Sequence, residues 1–173
     1  MIYKCENNYL DNKQNISLKE TLKQKNFPWF IENELFLKHT FIYNSEMISD
    51  FCYLLDPFTK KIKNKILNAS CYFFLKGKKT NRVKIDNNIK DNFLCLIHYL
   101  NSSEGSIEIN NMDKIPHVSN RSVLFDNNVK VTHNTPIKEN QFFIEIVPNI
   151  TDEGKWTGVF QLIINARKTV EQN

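Results

Sequence analysis

Between Arg82 and Phe142 the chain is written in short apolar runs. RVKID, NFLCLIHYLN, GSIEI, SNRSVLF, NVKVTH and NQFFIEIVPN follow one another at spacings of roughly ten residues, with Asn, Asp, Ser or Gly clusters between them. No other feature constrains the fold as much. Runs this short are not amphipathic helices, and breaks this regular leave no room for crossover helices between parallel strands. The pattern predicts a sandwich or small barrel. Lys84, Asp86, Tyr99 and His133 stand near strand ends, the layout of a polar pocket.

The first part of the chain reads differently. Ser17 and Glu20 have capping-box spacing, which predicts a short helix over 17–25 behind an extended arm of ten residues. NFPWF (26–30) carries three aromatic rings around Pro28 and reads as an anchor against the core. LFLKHTFIYN (35–44) alternates like a strand. SEMISDFCYLLDP (45–57) puts Ile48, Phe51, Cys52 and Leu55 on one helical face, with Ser45 as cap and Pro57 as stop. FTKKIKNKILN (58–68) places Phe58, Ile62 and Ile66 on a second stripe. Strand signal resumes with ASCYFFLKG (69–77) and returns once more at WTGVFQLIINAR (156–167). The expected class is α+β, mainly β, with the helices buttressing one sheet. One domain covers 27–150, preceded by an arm or helix over 1–26 and followed by a strand and tail over 151–173.

Composition narrows the function. The net charge is only +4, from 23 Lys and Arg against 19 Asp and Glu. The densest basic runs, KKIKNK (60–65) and KGKK (76–79), read as a solvated helix face and a loop rather than a nucleic-acid footprint. No apolar run is long enough to span a membrane, and the first residues do not read as a signal peptide. Cys5, Cys52, Cys71 and Cys95 are widely spaced, which suits reduced thiols in a cytoplasm-like compartment better than zinc or disulfides. Cys71 and Cys95 read as core residues. His39 and His117 carry no signal of their own, and His98, next to Tyr99 on one run, faces the opposite side and reads as an ordinary half-buried histidine. Arg121 reads as structural.

The order NFPWF, HTF, two helical segments, KID, YLN, GSIEI, NR, LF and a late His resembles the prolyl-hydroxylase-like group of iron(II)/2-oxoglutarate oxygenases, in the small form found in marine bacteria and their phages. The resemblance covers 27–150 and implies a double-stranded β-helix, a jelly-roll barrel with helices on one side. It implies iron held by a His-x-Asp pair and a distant His, a two-histidine, one-carboxylate face. It also implies an arginine about nine residues after that His, gripping 2-oxoglutarate. Asp86 and His133 match metal positions, and Tyr99 matches the co-substrate tyrosine. Two positions depart: Lys84 stands where the first His belongs, and Phe142 where the arginine belongs. An ammonium has no lone pair for a metal, and a phenyl ring cannot partner a carboxylate. The expectation is therefore an oxygenase fold that has lost iron and 2-oxoglutarate and serves as a binding or structural module, with a protein partner or self-assembly. Two alternatives stand beside it. One is an active dioxygenase acting on a peptidyl or small-molecule substrate. The other is a sugar- or small-molecule-binding jelly roll lined by Tyr72, Tyr99 and Phe142.

Overall fold

The computed structural model describes residues 3–62, 65–85, 94–126 and 130–148. The extended arm expected at the start is, from Tyr3 onward, docked on the rest of the chain. Strand β1 (Tyr3–Glu6) pairs with a strand far along the chain, and helix α1 (Asn12–Leu22) follows it. The helix starts earlier than Ser17 because Asp11 is the better cap. Its side chain accepts from the Lys13 amide while Gln14 Oε1 accepts from the Asp11 amide, a reciprocal capping box. Next come β2 (Phe30–Ile31), β3 (Phe36–Tyr43) and β4 (Glu46–Met47). The helix expected from Ser45 does not form there. Asn44 and Ser45 have φ of 49° and 68°, the two left-handed residues of a tight hairpin, so Glu46–Met47 turns back along β3. A 3-10 turn at Cys52–Leu55 then leads into α2 (Asp56–Ile62). Pro57 falls in the first turn of α2, where its missing N–H costs nothing, so it opens a helix instead of closing one.

The remaining strands are β5 (Ile66–Phe74), β6 (Arg82–Val83), β7 (Leu94–Tyr99), β8 (Ser106–Ile109), β9 (Asp113–Pro116), β10 (Ser122–Asp126), β11 (Val131–Asn134) and β12 (Gln141–Pro148). Strand β9 lies in DKIP, a stretch without a strand signal. Every pairing is antiparallel. The large sheet runs β1-β10-β7-β12-β5-β3-β2, with β4 on β3, and the small sheet runs β6-β11-β8-β9. From β5 onward the chain visits the sheets in the order large, small, large, small, small, large, small, large. The segment expected as a last strand, 156–167, lies outside the described residues.

The large sheet is largely apolar on both faces, the main charged exception being the buried Glu145 carboxylate, which accepts from the Tyr72 hydroxyl. Along β7, Leu94, Leu96 and Leu100 join Leu18, Leu22, Phe58 and Ile62 of the helices, while Cys95, Ile97 and Tyr99 face the small sheet. Along β12, Phe142, Ile144 and Ile146 face the helices, and Phe143 and Val147 face inward. Such two-sided burial explains why LCLIHYL and FFIEIV read as nearly continuous apolar runs. Each fully buried leucine or phenylalanine contributes about 1.5–3 kcal/mol. The NFPWF anchor packs in part: Phe27 is buried against Trp29, Phe41 and Phe51, and the Trp29 indole donates to the Leu22 carbonyl, whereas Phe30 lies exposed on β2.

Candidate functional site

His133 lies in the middle of the small sheet. Its register partners are Val83 on β6 and Ile107 on β8, and all three are buried on the inward face. The imidazole stacks on Phe143 of the large sheet, with centroids 5.1 Å apart and planes 12° apart, and meets the edge of Phe74. Nδ1 of His133 is buried without a hydrogen-bond partner. Burial first, and His117 second, hold its pKa down to about 3, so the ring is neutral at physiological pH.

Tyr99 closes β7 on the same interior. Its ring lies 4.5 Å from that of His117 and 6.0 Å from Phe143. The phenol oxygen is also buried without a partner, and burial raises its pKa well above the usual value. His117 follows β9 and is held down to about 4, mainly by burial. Its tautomer follows from its neighbours. The Ser103 hydroxyl donates its one proton to Gln141 Oε1 at 2.5 Å and accepts from the Gly105 amide. The 3.2 Å contact between Ser103 Oγ and His117 Nδ1 therefore requires the proton on Nδ1. Nε2 of His117 is left as a bare lone pair, buried and unpartnered. Gly105 makes room for this ring: a Cβ there would lie 2.8 Å from His117 Nδ1 and 2.8 Å from the Asn134 carbonyl oxygen. Three unpartnered polar atoms thus belong to neighbouring rings of one interior, each costing about 1–3 kcal/mol if nothing meets it. Buried polar atoms are normally met by protein, water or a ligand, and here the protein leaves three of them open in one interior.

The residues singled out in the sequence are only partly brought together. His133 and Tyr99 share the interior. Lys84 does not: its side chain is exposed, because Val83 and Ile85 are the neighbours that turn inward. Phe142 does not either. Its ring stacks on Phe73 at 4.3 Å and 5° and lies against Trp29, in the core beneath the helices. Strand alternation is the reason, since Phe142 has the parity of Ile144 and Ile146. The inward position at that end of β12 is Gln141, fully buried beside Ser103 and Asn101. Asp86 lies outside the described residues. His98 faces away from Tyr99 as strand parity requires, but it is completely buried rather than half-exposed. Its Nε2 donates to Asn15 Oδ1 and its Nδ1 accepts from Ser122, both at 2.8 Å. Arg121 is structural, donating to Asn7 Oδ1 and to the Pro116 carbonyl.

Sequence reasoning missed His117 and Gln141. Gln141 was within reach by counting alternate residues back from the apolar β12 run. His117 sits beyond an unpredicted strand and left no periodic trace. Among the described residues no group of three or more His, Cys, Asp or Glu side chains converges, and no Lys or Arg is buried.

Two antiparallel sheets visited alternately, with helices behind the larger one, define a double-stranded β-helix, the fold of 2-oxoglutarate/iron(II) oxygenases. Solved structures bear this out. A prolyl hydroxylase from Trichoplax adhaerens, in complex with a hypoxia inducible factor oxygen degradation domain peptide, matches with a TM-score of 0.62 at 13% identity, over 84% of this chain and 82% of that one. A viral collagen prolyl hydroxylase from Paramecium Bursaria Chlorella virus-1, in a 2-oxoglutarate complex, matches at 0.56 and 12% identity, over 87% and 97%. A 2OG-Fe(II) oxygenase family oxidoreductase from Burkholderia pseudomallei matches at 0.60 and 8% identity, over 84% and 82%. No family model and no curated protein matches the sequence.

Proposed function

We propose that this chain uses the oxygenase fold without the oxygenase cofactors, as a non-catalytic binding module. The observation that carries this reading is the pairing of His133 with Val83. The resemblance puts the nitrogen ligand beside His133 on β6, and the residue directly opposite His133 on the inward face of that strand is an aliphatic one. A second observation points the same way. A 2-oxoglutarate carboxylate buried between the sheets needs a cationic partner, and Gln141, a neutral amide already engaged with Ser103 and Asn101, holds the inward position. Both observations count against iron and 2-oxoglutarate in the arrangement that the resemblance implies. The reasons are not the ones the sequence suggested, since Lys84 and Phe142 both lie outside the interior.

The test is an anaerobic titration of the full chain with Fe(II) and 2-oxoglutarate, followed by admission of oxygen. The expected result is no visible charge-transfer band and no succinate. Either signal would overturn the proposal in favour of a working dioxygenase. One observation favours that second reading: His133 offers an unpartnered ring nitrogen to the interior, as a ligand would. It predicts a band that His133→Ala abolishes. The remainder of the proposal is a protein of a reducing compartment, whose four cysteines stay free thiols and whose partner is another protein. Among the described residues no helix is long and apolar enough to cross a membrane.

A further inference from the structure

The end of the large sheet farthest from β1 is apolar, exposed and acidic. β2 has β3 as its only strand neighbour among the described residues, so its other side presents the backbone row of an edge strand. Natural edges are commonly guarded by lysine or by burial. Here both residues of β2 are large, apolar and open: Phe30 is 61% exposed and Ile31 81%. The β3–β4 hairpin and the segment after it add Met47, 76% exposed, and Ile48, 56% exposed. A groove runs between these two groups, lined by Pro28, Phe30, His39, Ile48, Ser49 and Phe51. His39 fixes its width. Nδ1 lies 2.8 Å from the Pro28 carbonyl oxygen and Nε2 2.7 Å from Ser49 Oγ, so one ring ties both walls together from below. Phe30 stacks over that ring with centroids 6.1 Å apart.

The charge around the groove is one-sided. Glu32 and Asp50 line the groove against one lysine, Lys38, and the other charged residues of the stretch 27–56, Glu34, Glu46 and Asp56, are exposed carboxylates, in a chain whose overall balance is +4. We infer that this face docks an extended segment of a partner protein that alternates apolar and basic side chains and adds a strand to β2. The edge strand supplies backbone pairing, the groove takes the apolar side chains, and the acidic rim takes the lysines or arginines. A second copy of this chain docked through the same edge would set acid against acid. A phosphate-bearing surface, whether nucleic acid or anionic lipid, would be repelled. Occupancy of this edge does not depend on whether the interior binds iron.

The test uses the full chain and two synthetic capped heptapeptides, one alternating lysine with valine and the other alternating glutamate with valine. The lysine peptide is expected to bind at low salt and to weaken as salt rises. Its amide shifts should fall on Phe30, Ile31 and Glu46–Ile48. The double variant Ile31→Lys with Met47→Lys, at two side chains open enough to leave the fold alone, is expected to weaken binding by about tenfold or more. Four outcomes would overturn the inference: no binding of the lysine peptide, equal binding of the glutamate peptide, shifts at another face, or a dimer of the chain itself that the double variant dissolves.

Discussion

His98 and His133 are both buried, and burial holds the pKa of each near 3. Their surroundings differ in one respect that separates scaffold from site. His98 sits between the large sheet and the helices with both ring nitrogens engaged, one by Ser122 and one by Asn15. Asn15 in turn donates to Ser119 Oγ, so the ring joins α1 to two strands and to the turn before β10. His133 sits between the sheets and receives shape without partners: Phe143 and Phe74 fix the ring, and Nδ1 meets nothing. The helix-facing layer satisfies its polar atoms, whereas the interior concentrates three that are not satisfied. A layer of the first kind is built for stability. One of the second kind accepts a stability cost of about 1–3 kcal/mol per atom unless water or a ligand meets it.

The most forceful way to break this comparison is at β12. If Phe142 belongs to the helix-facing layer, Phe142→Arg removes a stacked ring and buries a guanidinium among Phe73, Trp29 and Ile144. The expected loss is about 4 kcal/mol or more, read as a lower denaturant midpoint or as no folded protein. Lys84→His, on an exposed side chain, should stay within about 0.5 kcal/mol. Similar small costs for both would mean that Phe142 lines the interior after all.

The next test concerns the partnered histidine. His98→Leu keeps the volume but strips both Asn15 and Ser122 of their contacts in a buried site. We expect a loss of about 2–4 kcal/mol in urea unfolding. Asn15→Leu added to His98→Leu should recover part of it, because an unpartnered amide is then removed. A recovery of zero would show that the layer does not owe its stability to this network.

Acid should act on both layers together. His98, His117 and His133 have folded pKa values of about 3, 4 and 3 against an ordinary 6.5. Each is depressed, so the unfolded chain binds the extra proton once the pH falls below 6.5. Stability from these groups is complete above that value and declines as pH drops towards 4, by roughly 1.4 kcal/mol per unit for each histidine. The slope of unfolding free energy between pH 6 and pH 4.5 should therefore lose one histidine's share, about 1.4 kcal/mol per pH unit, in His133→Phe. An unchanged slope would mean that His133 is protonated in the folded protein, and its interior would not be dry.

Much of the scaffold was legible because it is periodic. The runs from RVKID to NQFFIEIVPN fall on observed strands, and two of the three rings of NFPWF, Phe27 and Trp29, form the anchor while Phe30 stays exposed. The errors arose where chemistry at one position overrode a pattern. Asn44 and Ser45 in left-handed conformations made a hairpin out of an apparent helix, and Asp11 displaced Ser17 as cap. The site was legible only in part. Tyr99 and His133 were singled out through the family resemblance, yet counting nine residues past His133 reached the helix-facing side of β12, where a shift of one residue exchanges layers. His117 lies after the short strand Asp113–Pro116, whose one buried residue, Ile115, gives no alternation to follow.

Among the buried histidines, the smallest expected effect is also the sharpest test. His133→Phe keeps a ring on Phe143 and removes an unpartnered nitrogen, so it trades slight overpacking against the loss of a desolvated polar atom. The net change should lie within about 1 kcal/mol of zero, far from the cost of replacing His98 although both residues are equally buried. A loss above about 3 kcal/mol would mean that His133 is held by a network as His98 is, and the division into a satisfied layer and an unsatisfied interior would fail. A small loss leaves the division standing and makes this variant the clean reference for ligand binding. Its fold is intact, and one of the three polar atoms that a ligand between the sheets would meet is gone.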